Sequence, residues 1–458
     1  MNGELPKGWV WTSLENCIDI LDSQRKPINA EEREERIQNK NESDLYPYYG
    51  ATGQVGWIEG YIFDEELILL GEDGAPFLDF SKDKSYLIKG KTWVNNHAHV
   101  LRAVGNVANN RYICHYLNIC DYRNYITGTT RYKLNQSQMR KIHIPLSPLA
   151  EQQRIVNKIE ELFTNLDKGV ESLKEVKSKL KVYRQAILKY AMEGKLTEKW
   201  REENKDKTEP VITLINKINI DAEVSKVLPE SWSELRVKDI GEIVTGTTPS
   251  KSINEYYGHD CSFFKPKDLN KGYYVKTSED GLSFKGMEKS RVLPIKSILV
   301  TCIGATIGKT GFTRVEGASN QQINAIIPFK NVIPEFVYFY SISPQFQKNI
   351  IVNSSSTTLP ILNKSKFEIL ELFVPPLEEQ KVIVERIEKL FSLADYIEET
   401  VDSKLEESKI LRQSILKKAF EGKLVPQDPN DEPAEILLQK IKMEKSNKGK
   451  LVQEKLVE

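Results

Sequence analysis

Three short constellations in this 458-residue chain hold the residue types that do chemistry. Gly304-Ala-Thr-Ile-Gly308-Lys309-Thr310 has the glycines and lysine of a phosphate-cradling loop, but it is one residue short of the Walker A spacing between its glycines. The backbone N–H groups then lack the reach to surround a triphosphate, so nucleotide binding is not expected. The plainer reading is a Gly-rich turn between strands at 297–301 and 311–313 with Lys309 exposed; the alternative is that such a turn lays backbone N–H groups and the lysine against a DNA phosphate. Asn95-Asn96-His97-Ala-His99 puts two imidazoles on one face of a strand expected over 93–101, with Cys114-His115 further on. A metal needs three or four converging ligands, so Asn96 and His97 are read as hydrogen-bonding groups at a strand end, and no metal site is assigned. Glu193-Gly194-Lys195 and Glu421-Gly422-Lys423 repeat the Glu-x-Lys of nuclease sites without an upstream Pro-Asp, and a capped helix end explains both.

What remains is a polar set on expected loops: 46–52, Gly71-Glu72-Asp73-Gly74 and 127–131 in the first part of the chain; 245–248, 265–268, 319–322 and 354–358 in the second. Amides, hydroxyls and basic side chains are the groups that read base edges and hold phosphates. There is no Phe-x-Gly-x-Gly cofactor loop and no Asn-Pro-Pro-Tyr-type base-flipping motif, so methyl transfer by the chain alone is not expected. No catalytic residue is assigned.

The elements that must carry these loops are set out by an internal repeat. Pro148–Leu196 and Pro376–Leu424 align without a gap, and nearly half their positions are identical. Each opens with proline and a first-turn carboxylate, Glu151 or Glu379, which suits the positive end of a helix, and each stops at a glycine. In between, apolar residues recur every three or four positions: Ile155, Ile159, Leu162, Leu166, Val170, Leu173, Val176, Leu180, Tyr183, Ile187 and Ala191 in the first copy. The second copy keeps the seam from Ile383 to Val401, blurs over 404–408, and recovers at Leu411, Ile415 and Ala419. Neither helix is stable alone with so much apolar surface, so each is expected to be the other's partner. Leu5-Pro6-Lys7-Gly8-Trp9 is echoed at 228–232, and 209–218 at 432–441, so a unit of domain, long helix and short helix occurs twice.

Composition excludes several classes. Lys+Arg and Asp+Glu number 65 each, so there is no global field for a non-specific nucleic-acid coat. Five scattered cysteines without Cys-x-x-Cys spacing fit a reduced compartment. The absence of a signal-like start or a long uncharged apolar run makes a cytoplasmic protein with no membrane partner the expectation.

The doubled Pro-Leu-x-Glu-Gln…Glu-Gly-Lys-Leu helix, the Leu-Pro-x-x-Trp openings, the Gly-Thr-Thr strings and the run from Gly304 through Asn320-Gln-Gln-Ile-Asn-Ala-Ile resemble the specificity subunit of type I restriction-modification systems over nearly the whole chain. The resemblance implies a non-catalytic reader of double-stranded DNA. Its two target recognition domains would each read half of a split, asymmetric target, and its two long helices would form an antiparallel coiled coil between them. Two methylation subunits would bring S-adenosylmethionine, and restriction subunits would bring ATP- and Mg-dependent translocation and cleavage, with no cofactor on this chain. Carried over as DNA contacts are Asn96, His97, Thr129, Thr130 and Arg131 in the first domain, and Thr247, Thr248, Lys309, Asn320, Gln321, Thr357 and Thr358 in the second. The Glu-Gln pairs Glu151, Gln152, Glu379 and Gln380 are assigned to partner docking.

The expected fold is α+β: two mixed, strand-rich domains at 1–147 and 228–375, helices at 148–196 and 376–424, a linker with a short helix at 197–227, and a short helix with a mobile tail at 425–458. The pseudo-twofold repeat relates the two halves. The rival reading is a coiled-coil adaptor with two protein-binding domains and no DNA specificity. A stand-alone nuclease or ATP-using enzyme rests only on the 304–310 near-miss.

Overall fold

A computed structural model describes residues 4–204, 229–269, 273–355 and 359–440. Two long α-helices dominate it, Leu149–Met192 and Leu377–Phe420, each 44 residues and therefore about 66 Å at ~1.5 Å per residue. Both begin one residue after a proline, carry lysine in the last turn, and stop at a left-handed glycine, Gly194 (φ 71°) or Gly422 (φ 67°). A Cβ at Gly194 would lie 2.7 Å from Pro229 Cγ, and one at Gly422 would collide with Pro6. Each helix end thus nests against the proline of a Leu-Pro-x-x-Trp opening, and only glycine satisfies both the turn and the contact.

The chain divides into two compact units, one of residues up to Lys174 and from Asp402 onward, the other Glu175–Val401. Each unit holds the start of one long helix and the end of the other, as antiparallel pairing of the two helices requires.

In the first unit, a four-stranded antiparallel sheet runs in the order Ile18–Ile20, Ala98–Ala103, Leu67–Gly71, Ser85–Ile88. A second runs Gly53–Glu59, Leu45–Gly50, Lys91–Val94, Phe63–Asp64, with the middle pair parallel. The stretch expected as one strand over 93–101 is broken at 95–97, and its halves belong to different sheets. Val10–Ser13 pairs with His143–Leu146, joining the start and end of the domain. The helix Asn110–Ile119, capped by the Asn109 side chain, lays Tyr112, Ile113, Tyr116 and Leu117 on a core that also takes Ile155 and Ile159 from one long helix and Ile415, Ala419 and Phe420 from the other. Each such aliphatic side chain stabilises by about 1.5–3 kcal/mol when fully buried, so the long helices belong to the domain core.

The second unit repeats the plan with different sheets. Five strands run Gly241–Thr245, Ile323–Pro328, Ile298–Thr301, Thr310–Thr313, Tyr274–Val275, and four run Asp280–Leu282, Tyr257–Phe264, Gly317–Ser319, Val292–Leu293. Ser233–Arg236 pairs with Glu371–Val374, the counterpart of the terminal pair in the first unit. Its core joins Phe336, Phe339 and Tyr340 of the helix Pro334–Ser341 to Ile187 and Ala191 of one long helix and Ile383 and Ile387 of the other.

The seam departs from the expected register at three positions. Val176, Tyr183 and Leu411 are exposed, while the Arg184 and Arg412 side chains are 22% and 34% exposed and face carboxylates of the opposite helix. A helix of 3.6 residues per turn drifts against a 3.5-residue pattern, and here the drift brings the residue after each exposed apolar one to the inside. The short helix expected at 432–441 is present over 434–440; its counterpart at 209–218, and the tail from 441, lie outside the described residues.

Candidate nucleic-acid interface

In the first unit three loops meet beyond the ends of the strands: 71–74, 95–97 and 127–133. Main-chain bonds hold them together: Glu72 N–H to the His97 carbonyl at 2.8 Å, Gly74 N–H to Tyr132 at 3.2 Å, and a reciprocal pair between Thr127 and Lys133 at 2.9 and 2.8 Å. The carboxylate of Asp73 then faces both His97 Nδ1 at 2.8 Å and Arg131 Nη2 at 2.9 Å, and Lys133 lies 3.4 Å from Glu72. Asn96, Thr129, Thr130 and Arg131 are exposed, so the five residues expected here lie on one loop cluster. Asp73, Lys133 and Arg25, which binds Glu72 at 2.9 Å, belong to the cluster too; their signal was the Gly71–Gly74 string, which marks a loop without saying what it faces. Exposed ion pairs of this kind contribute about 0–1 kcal/mol, so Asp73 holds Arg131 only weakly.

His99 does a different job. Its Nδ1 meets Asp22 Oδ2 at 2.6 Å, its Nε2 meets the Leu134 carbonyl at 2.8 Å, and it is 1% exposed. Burial opposes charge on Asp22, but the His99 hydrogen bond, the His99 charge and the Val100 N–H together hold its carboxyl below the ordinary value. With both ring nitrogens engaged, the Asp–His pair props the loop base and has no free face for proton transfer. Cys114 and His115 sit on the helix Asn110–Ile119, and among the described residues no group of three His, Cys, Asp or Glu is placed to hold a metal.

In the second unit the loops 245–248, 301–309 and 319–322 converge in the same way. Gly246 N–H donates to Ile323 at 3.0 Å and Thr247 N–H to Ser319 at 2.9 Å; a side chain at 246 would collide with the Ser319 and Asn320 carbonyls. Thr248 Oγ1 donates to Gln321, and Asn320 Nδ2 to Gln322 Oε1 at 2.9 Å. Gln322 in turn accepts from Cys302 N–H at 2.7 Å, which brings the 301–309 loop and Lys309 to the cluster. Arg291, not singled out by any motif, donates to the Thr245 carbonyl at 2.9 Å. The 304–310 string closes an antiparallel hairpin between Ile298–Thr301 and Thr310–Thr313. No helix follows it, so the helix N-terminus on which a phosphate-binding loop depends is missing. Thr357 and Thr358 lie outside the described residues.

The Glu-Gln pairs occupy a different place from the one expected of a docking surface. Glu151, Gln152, Glu379 and Gln380 are all at most 2% exposed. Glu151 Oε2 accepts the Trp9 indole N–H at 2.9 Å, and Glu379 Oε2 that of Trp232 at 3.0 Å. Gln152 accepts from Asn109 N–H at 3.0 Å and donates to Ser147; Gln380 accepts from Ile333 N–H at 2.8 Å and donates to Pro375. The repeated motif therefore clamps each helix start to its own domain, and these four side chains have intramolecular partners where an exposed docking surface was expected. The outward apolar side chains on the long helices are others, Val182 and Tyr396 in one unit and Ile410 in the other, each at least 65% exposed.

Two loop clusters rich in amides, hydroxyls and arginine or lysine, each carried on the same clamped-helix frame, define a duplicated recognition protein. The sequence profile of the type I restriction modification DNA specificity domain matches residues 6–181 and again 229–407, and the chain belongs to that family. It is 29% identical to the type I restriction enzyme EcoBI specificity subunit of Escherichia coli, across 90% of this chain and 86% of that one. It is 26% identical to the EcoDI specificity subunit of the same species, across 98% and 97%. Among solved structures, the HsdS subunit from Thermoanaerobacter tengcongensis superposes with a TM-score of 0.53 at 19% identity, covering 92% of this chain and 99% of that one. A chain from a structural study of assembly and conformational transition in a type I R-M system gives 0.63 at 18%, covering 92% and 100%. At this identity the solved structures establish the fold. No helix among the described residues is long and apolar enough to cross a membrane.

Proposed function

We propose that the chain reads a split DNA target, one half with the 71–74, 95–97 and 127–133 loops and the other with the 245–248, 301–309 and 319–322 loops, and has no catalytic activity of its own. The observation that carries this reading is the repetition of one frame under two unlike loop clusters: the Trp–Glu and Gln clamps are the same, the sheets and loops differ. Two copies that keep a frame and diverge in their polar loops serve one scaffold and two readouts. Arg131 and Lys309 supply charge toward phosphates, and Asn96, Thr129, Thr130, Thr247, Thr248 and Gln321 supply the donors and acceptors that base edges require. Thr357 and Thr358 are proposed as further contacts to the second half-site. The antiparallel helix pair sets the gap between the half-sites. Methylation subunits, bringing S-adenosylmethionine, dock on the outward faces of the long helices, where Val182, Tyr396 and Ile410 offer apolar surface. Restriction subunits bring ATP and Mg.

The test is reconstitution. The purified chain neither methylates nor cuts DNA; with a methylation subunit it directs adenine methylation to a split sequence. Deleting four residues, about one helical turn, between Val170 and Lys181 changes the gap and leaves both half-sites as they were. Methyl transfer by the chain alone, or a deletion that alters the half-sites, refutes the reading.

A further inference from the structure

The two copies of the helix clamp share the Trp–Glu and Gln contacts and differ in how the second glutamate oxygen is held. In the second unit, Glu379 spends its first oxygen on Trp232 and its other, Oε1, on Thr197 Oγ1 at 2.6 Å and Arg201 Nη1 at 2.5 Å. Arg201 is placed by the short helix Glu198–Glu203 and also donates to the Gly194 carbonyl at 2.7 Å. Shifting by the length of the repeat, Thr197 corresponds to Val425 and Arg201 to Pro429. Neither replacement has a donor, and no short helix forms there. Glu151 keeps its Trp9 bond, but its Oε1 is buried with no hydrogen-bond partner among the described residues. Arg154, one turn further along the helix, is committed to Asp431 at 2.5 Å.

A buried carboxylate oxygen without a donor is unfavourable, the more so when charged, and burial pushes the Glu151 carboxyl up from its ordinary value. Glu151 lies in the wall of a cavity of about 520 Å³, within the range of ligand sites, lined also by Lys7, Trp9, Asp428, Pro429, Asp431 and Glu435 among others. Three carboxylates besides Glu151, against the single ammonium of Lys7, line a space whose counterpart in the other unit holds a guanidinium.

We propose that this pocket is a receptor for a guanidinium group, presented on an arginine side chain of a protein partner. The partner's arginine takes the place that Arg201 fills in the second unit, with its N–H groups on Glu151 Oε1 and the carboxylate rim balancing its charge. The inference concerns the clamp and does not depend on how the loops read DNA. It makes the two ends of the repeat distinguishable to a partner, since one clamp is completed by Arg201 and the other has no such donor among the described residues.

The experiment is calorimetric titration of the full chain with acetyl-Gly-Arg-Gly-amide, its citrulline analogue and free L-arginine. The peptide is expected to bind saturably, and the neutral citrulline peptide at least tenfold more weakly. Pro429→Arg, at an exposed position, supplies the missing side chain from within; it should abolish peptide binding and raise Tm. Glu151→Gln keeps an acceptor for Trp9 but removes the charge, and should weaken the peptide at least tenfold. Unsaturable binding, equal binding of the citrulline peptide, or binding unchanged by Pro429→Arg overturns the pocket. Free arginine binding tighter than the peptide overturns its assignment to a protein-borne side chain.

Discussion

Arg184 on the first long helix meets Asp395 on the second at 2.5 Å, and the same pair recurs with the helices exchanged, as Arg412 to Asp167. Only antiparallel helices built from two copies of one sequence make such reciprocal contacts. Arg184 also reaches Glu398 at 3.0 Å, and Arg412 stacks over the Phe163 ring at 4.1 Å. A charged residue at a seam position gives up stability and fixes register. Arg184→Glu, facing Asp395 and Glu398, is expected to lower stability by about 1–2 kcal/mol, judged from the ~0.2–1 kcal/mol of a single exposed pair plus repulsion from two carboxylates. Asp395→Lys with Glu398→Lys should restore most of it; failure to restore would show that the pair does not form. Denaturant unfolding reads both.

The two clamp glutamates are expected to respond unequally. Glu379→Ala leaves Arg201, Trp232 and Thr197 without their acceptor, a loss of about 3–5 kcal/mol for a broken buried ion pair. Glu151→Ala orphans only the Trp9 indole and relieves an unpaired oxygen, so its loss should be no more than about 1–3 kcal/mol. Equal losses would contradict the asymmetry between the units.

His115 packs edge-on against Phe163 with ring centroids 5.8 Å apart, and the corresponding pair in the second unit is Phe339 with Phe391. Burial lowers the His115 pKa from 6.5 to about 4, so the folded state resists its protonation while the unfolded chain accepts it. The native state is therefore at full strength above pH 6.5 and weakens as pH falls from there toward 4, by up to about 3 kcal/mol at ~1.36 kcal/mol per unit. His115→Phe, which copies the second unit, should flatten the Tm profile between pH 7 and 5. A profile as steep as that of the unaltered protein would place the titration elsewhere.

Much of this frame was legible in the residues. Proline, first-turn glutamate, seam and terminal glycine mark both long helices to within a few residues, because each signal is local. The seam at Val176, Tyr183 and Leu411 was misread because a heptad count carries no memory of the drift that turns Arg184 and Arg412 inward. The intramolecular partners of the Glu-Gln pairs were missed for a related reason: a repeated polar motif at a helix start signals importance, while the partner that makes it structural, Trp9 or Trp232, is far away in sequence. The break at 95–97 separates two sheets and depends on long-range pairing that alternation cannot reveal. Loop residues were found by type, and their convergence on Asp73 or Gln322 was not.

Single loop changes should separate the two readouts. Arg131→Ala and Lys309→Ala are each expected to weaken DNA binding by the assembled methyltransferase and to lower the slope of log K against log salt by about 1 if the side chain meets a phosphate. If it meets a base edge instead, the expected cost is about 1–3 kcal/mol with relaxed preference at one position. Gly128, at φ 95° with a would-be Cβ 2.5 Å from the Arg131 carbonyl, is a second handle: Gly128→Ala should disturb the first half-site alone.

The central claim, two independent readers on one frame, is tested most directly by domain exchange. Residues from Val10 to Leu146, bounded by the terminal strand pair, are replaced with the matching segment of another specificity subunit, and methylated positions are mapped across a genome. The account predicts that one half-site changes while the other half-site and the gap stay the same. A target changed in both halves, or in neither, would contradict it.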